Sequence, residues 1–155
     1  MSDLQAIATA IATTIGTLTA TSSSGETETL TATADLPNQV ATSALLVYPP
    51  TGELSLILGP RHNDLYRFPV KVLRDPTDVP SRVKWLYAWA TQLRTGVEPH
   101  FQLGLSYVTN AEARAIRVEL DGEQYASAAT ATLQPFDVVE MEVEVRVWEL
   151  TSVSL

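Results

Sequence analysis

A chain of 155 residues, 45% apolar and 18% charged, is one ordinary globular domain, long enough to bury a single core and short for two. A net charge of −8 argues against a dedicated nucleic-acid binder, whose affinity would rest on neutralising phosphate, and the lack of cysteine excludes disulfides and thiolate metal sites. Met1 to Leu18 has no basic start of the kind a signal peptide carries, and no apolar run reaches the roughly 20 residues that cross a bilayer, so a soluble protein is expected.

The charge is unevenly spread. Residues 1–50 hold four acids and no base, residues 51–100 five acids against seven bases, and residues 101–155 nine acids against three bases. A basic patch on one subunit meeting an acidic strand on the next is one reading of that asymmetry, and a solvated surface is the other.

In chain order, Ser2 to about Leu18 reads as a helix with Leu4, Ile7, Ile11, Ile15 and Leu18 in one seam and Ser2 and Gln5 in capping-box spacing. Residues 19–38, rich in Thr and Ser, read as a flexible loop or a long two-stranded arm, the alternating threonines from Thr27 to Thr33 favouring the arm. Thr42 to Tyr48 reads as a buried strand closed by Pro49 and Pro50. Leu54 to Leu58 reads as a second strand after a Pro-Thr-Gly turn, and Gly59 to Asp64 as a loop. Leu65 to Leu73 is a basic strand that Pro69 demotes to an edge or a bulged position.

The second helix is predicted from Pro80 to about Thr95, ending at Gly96, with Val83, Leu86, Tyr87, Ala90, Leu93 and Val97 as its docking stripe. Trp85 and Trp89 then point away from that stripe. They are either covered by the first helix or the Thr-rich arm, or they form a subunit contact with Arg82 beside them. With the basic strand included, the candidate interface residues are Trp85, Trp89, Arg82, Arg67, Lys71 and Arg74.

Phe101 to Thr109 and Arg114 to Leu120 read as strands. Asp121-Gly122 carries the strongest hairpin signal in the chain, with a return strand from Glu123 to Leu133. The last strand, Val138 to Leu150, is the clearest element: Val139, Met141, Val143, Val145 and Val147 on one face, Glu140, Glu142, Glu144 and Arg146 on the other. Its acids are candidates to face a lumen or solvent. The expected class is α+β: an antiparallel sheet of about five or more strands, two main helices packed on it, and a Thr/Ser-rich arm or loop.

Catalytic chemistry has little support in the sequence. His62, Asp64, Glu98 and His100 are the only candidate metal or acid-base group, and they sit on two separate loops without paired-histidine spacing, so no metal, cofactor or enzymatic activity is expected.

The element order resembles that of the tail-terminator, or tail-completion, proteins of long-tailed bacteriophages. The resemblance rests on an amino-terminal amphipathic helix, LLVYPP (Leu45 to Pro50), RFPVKVLRD (Arg67 to Asp75), one helix from Pro80 to Gly96, and a strand meander ending in VEMEVEVRVWE; it spans about 110 residues and is a pattern of elements rather than a motif. It implies a structural virion protein at the head-tail junction: a homo-oligomeric ring, six-membered in that family, which caps the tail tube, joins it to the head-side connector, lets DNA pass through its lumen without specific binding, and is made in the host cytoplasm. The long Thr/Ser stretch departs from the family pattern, and no residue is carried over as a site. Two other readings stay open: another head-completion, connector or baseplate part, and a small-molecule binding α+β domain in which His62, Asp64 and His100 converge on a pocket.

Overall fold

The alternation of the last strand sets the layers of the fold. In a computed structural model, which describes residues 4–53, 61–75 and 79–150, that strand lies between two other long strands. Its odd-numbered residues from Val139 to Val147 are almost fully buried, while its glutamates stay partly open on the opposite face. The elements are α1 (Leu4–Ile15), β1 (Thr17–Thr21), β2 (Thr27–Thr33), β3 (Ser43–Val47), β4 (Thr51–Glu53), β5 (Arg61–Arg74), α2 (Val79–Gly96), β6 (Val108–Ala126) and β7 (Leu133–Leu150). The sheet runs β1-β2-β3-β5-β7-β6 with β4 also on β5, antiparallel except for the short β2/β3 pairing. The fold class is α+β. Neither helix is long and apolar enough to cross a membrane.

Both helices pack on the face of the sheet that carries Phe68, Val70, Val72 and the odd β7 residues. On α1, Ile7, Ala8, Ile11, Ala12 and Ile15 are buried, a stripe at steps of 3 and 4 that buries three isoleucines, each contributing about 1.5–3 kcal/mol. The helix stops earlier than expected. Gly16 takes a left-handed φ of +66° and donates its N–H to the Ala12 carbonyl, which caps α1 and puts Leu18 in β1. The Thr-rich stretch is a hairpin, in which Thr17 faces Thr31 and Thr19 faces Thr29 with hydroxyl contacts of 2.8 Å.

Several predicted elements need correction. β5 is central rather than an edge, paired with β7 over its whole length and with β3 and β4 on its other side. Pro69 is tolerated there because its carbonyl accepts the Tyr48 N–H (2.8 Å). Its nitrogen therefore faces the same side, at the Pro49-Pro50 interruption between β3 and β4, and the β7 ladder needs no donor from it. The predicted Pro-Thr-Gly turn is instead β4, which continues along β5 after a one-residue offset: Val47 pairs with Val70 and Thr51 with Arg67. The expected strand at Leu54 to Leu58 lies outside the described residues. Arg61 to Asp64, expected in a loop, begins β5.

Asp121-Gly122 is not a hairpin. Asp121 has φ +55°, but the chain continues in one direction, and β6 passes residues 120–122 opposite Asp137 alone on β7, a wide bulge of two extra residues. Gly122 is needed for close approach: a Cβ there would lie 2.6 Å from the Val138 Cγ1. The reversal comes later, between Ser127 and Thr132, with Ala131 at φ +57°. The carboxy-terminal half is thus one long bulged hairpin instead of a meander of four strands. Residues 101–107 alternate in burial as a strand would, yet they form an excursion along the outer side of β6, broken at Gly104 with φ +70°.

Candidate assembly surface

The stripe expected to dock α2 is phased wrongly. Tyr87 is 66% exposed, whereas Trp85, Leu86, Ala88, Trp89 and Leu93 face the core. The two largest side chains of the helix, one turn apart, decide its orientation, because burying an indole removes more apolar area than burying a valine. Trp85 and Trp89 are therefore not a free subunit surface.

What covers them is the Thr-rich hairpin. The Trp89 indole N–H donates to Glu28 Oε1 at 2.7 Å. The Arg74 guanidinium donates to both oxygens of the same carboxylate at 3.2 and 3.1 Å and lies 4.4 Å over the Trp85 ring. One carboxylate thus ties β2 to β5 and α2, and Arg74 is occupied within its own chain. Nearer the hairpin tip, Lys84 donates to Ser24 and Glu26, and the hydrogen bond from Lys84 holds the Glu26 carboxyl below the usual carboxylate range. Arg82 is also engaged internally. It donates to both oxygens of buried Asp137 (3.0 and 2.8 Å) and to Asp121 (2.8 Å), and these hydrogen bonds to the carboxylates, those to Asp137 first, raise its pKa further. Asp137 also accepts the Asp121 backbone N–H, so this cluster pins the wide bulge of β6 to the start of α2.

The face of the sheet away from the helices is open along much of its length, and here the acidic strand meets its bases. Arg67 of β5 lies 3.6 Å from Glu142 and 3.8 Å from Glu144. Lys71 contacts Glu123 and lies 3.4 Å from Glu140, with the Tyr48 ring 4.2 Å beneath its ammonium. From β6, Arg114 reaches Glu112 (3.2 Å) and Glu144 (3.9 Å), and Arg117 reaches Glu119 and Glu140 (3.7 Å). Glu112 and Glu144 stand directly opposite each other across the strands, a repulsive pairing that Arg114 relieves. Glu140, Glu142 and Glu144, the candidates to face a lumen or solvent or to meet bases of a neighbouring subunit, lie on this open face and are partnered by Arg67 and Lys71 of their own chain. Four cations and six carboxylates interleave, so the group is net acidic by two charges, with every cation beside a carboxylate.

The Tyr48 hydroxyl is buried at the margin of this lattice without a hydrogen-bond partner; burial first, and then Glu123, Tyr125 and Glu140, push its pKa up. Beside it, Val40, Leu46, Leu73, Phe136 and Val138 form a second small core against which Tyr48 packs.

Asp64 is buried in β5 while His100 is largely exposed and 3.9 Å from Glu112, the His62 side chain lies outside the described set, and no metal-capable cluster occurs among the described residues. Open clefts flank the 101–107 excursion, one of about 460 Å³ between His100 and Ala111.

A further surface is formed by the outer side of β6 and a groove of about 370 Å³ between it and α2, bordered by Tyr87, Ala90, Arg94, Ile116 and Val118. Val118 and Leu120 are exposed there beside Tyr87. Exposed edge and exposed apolar side chains together mark a surface for association. No family model matches the chain, and no curated protein matches it.

Proposed function

We propose that the chain is a structural virion protein of a long-tailed bacteriophage: a subunit of a ring at the head-tail junction that ends the tail tube and joins it to the head-side connector. The reading starts from the order of elements and is supported most by the open face of the sheet. Its interleaved ion pairs leave no cluster of uncompensated bases for phosphate to grip. A wall of that kind suits a passage through which DNA slides without being held. In this account the helix-covered face is the body of the subunit, and the open face of β5, β6 and β7 lines the lumen.

Electron microscopy of the purified protein, alone and with tail tubes, tests the reading. Six-fold rings that cap tube ends are the expected result. Rings of another symmetry would move the chain to a head-completion, connector or baseplate role, and particles without a central opening would rule out the passage.

A further inference from the structure

Among the described strands β6 ends the sheet, so one of its long sides has no strand partner there. Two stretches of that side are covered. The Phe101 N–H donates to the Ala111 carbonyl and the Ala113 N–H to the Pro99 carbonyl (2.8 and 2.7 Å), while the Val40 N–H donates to the Ala126 carbonyl (2.9 Å). Between these covers no described backbone group pairs with the outer side of β6, and the bulge at Asp121 turns the strand aside. Ile116 to Glu119 is therefore a regular, uncovered edge bounded on both sides, and Leu120 follows it at the start of the bulge.

We infer that this edge pairs with the same edge of a second copy, antiparallel about a two-fold axis through Val118. Charge selects both the occupant and the register. Pairing centred on Val118 sets Arg117 opposite the second copy's Glu119, and Glu119 opposite its Arg117, on the open face of the sheet. On the other face it sets Ile116 opposite Leu120 twice and Val118 against itself, beside the exposed ring of Tyr87. The neighbouring two-fold registers, centred on Arg117 or Glu119, would put two arginines or two glutamates directly opposite each other, which is destabilising. In the single chain Arg117 contacts Glu119 along its own strand, two residues away and on the same face; in the pair each meets the opposite charge across the strands.

The contact does not rest on the ring reading. A two-fold contact closes on two copies, while a ring needs a head-to-tail contact elsewhere on the surface. A six-fold ring that also makes this contact would pair with a second ring, twelve copies in dihedral symmetry.

Charge reversal in solution tests the pairing. Arg117→Glu leaves two acids on the edge and Glu119→Arg leaves two bases, so by sedimentation at tens of micromolar each variant alone should lose the two-copy species that the wild-type chain forms. Mixed one to one, they should recover it, because every basic position then faces an acidic one; a merely structural role for the Arg117–Glu119 contact cannot produce such complementation. Val118→Cys supplies the sole thiol of the chain and should give a disulfide-linked pair under mild oxidation, while Leu133→Cys, exposed elsewhere, should not. Wild-type association unchanged by both charge variants, a mixture that stays apart, or Leu133→Cys linking as readily as Val118→Cys would each overturn the inference. A six-membered ring lacking the Val118 link would sink it and leave the ring reading standing, and a closed pair that never forms a ring would do the reverse.

Discussion

Glu28 holds the Thr-rich hairpin against the rest of the chain, and removing its carboxylate should be costly for one side chain. In Glu28→Ala the indole N–H of Trp89, a residue only 1% exposed, loses its acceptor, and an unsatisfied buried donor costs about 1–3 kcal/mol. Arg74 loses both hydrogen bonds to the carboxylate and keeps the Trp85 ring; with both side chains about 15% exposed, that loss adds about 1–2 kcal/mol. A total of about 3 kcal/mol should lower Tm by about 6–12 °C in a chain of this size. Glu28→Gln keeps one acceptor oxygen and should lose about half as much. The remaining link of β2 to the sheet is a parallel pairing of two residues with β3, so hydrogen exchange in Glu28→Ala should rise in β1 and β2 well before β5 and β7. A Tm drop below about 2 °C, or exchange rising evenly through the sheet, would refute the assignment of Glu28 as the tie.

Gly122→Ala would press a methyl against Val138 and Glu119 at the wide bulge; a loss of about 1–3 kcal/mol in urea unfolding is expected, and a neutral result would mean that the bulge is not tightly packed. Replacing Glu140, Glu142 and Glu144 together by Gln leaves Glu112, Glu119 and Glu123 against Arg67, Lys71, Arg114 and Arg117, turning the open face net positive, so duplex DNA should bind in fluorescence anisotropy and release with added salt. Absence of any gain in binding would show that the face is not reached by DNA. Glu26 titrates below the usual carboxylate range because Lys84 donates to it, so its contribution to stability is present above its unfolded pKa and disappears as pH falls through the depressed folded value. By NMR, Lys84→Met should raise that midpoint, and an unmoved midpoint would discount the contact.

β7 and the Thr-rich hairpin were legible in the sequence because a period of two needs no knowledge of neighbours. Helix α2 was legible as a helix but not in phase: Val83, Tyr87, Ala90 and Val97 make as regular a stripe as Trp85 and Trp89, and only the volume of the indoles breaks the tie. Asp121-Gly122 misled because the same dipeptide serves a tight turn or a bulge, and the choice depends on Val138 packing against a strand placed by the whole sheet. Pro69 misled for a similar reason, its missing donor facing a gap made by two other prolines.

The candidate site was legible only in part. The acids of β7 and bases of β5 were evident, but register brings Arg67 level with Glu144 and Lys71 level with Glu140 inside one chain, and no local pattern specifies register. The free edge at Ile116 to Glu119 was hidden because whether a strand ends a sheet is a property of topology.

Native mass spectrometry of the purified chain, with the symmetry of the same particles read by electron microscopy, tests the central claim most directly. Assemblies of six copies of the 16.8 kDa chain around an open centre, or of twelve where two rings pair through β6, are the expected result. A chain that stays a single copy, both free and in the presence of tail tubes, would contradict it.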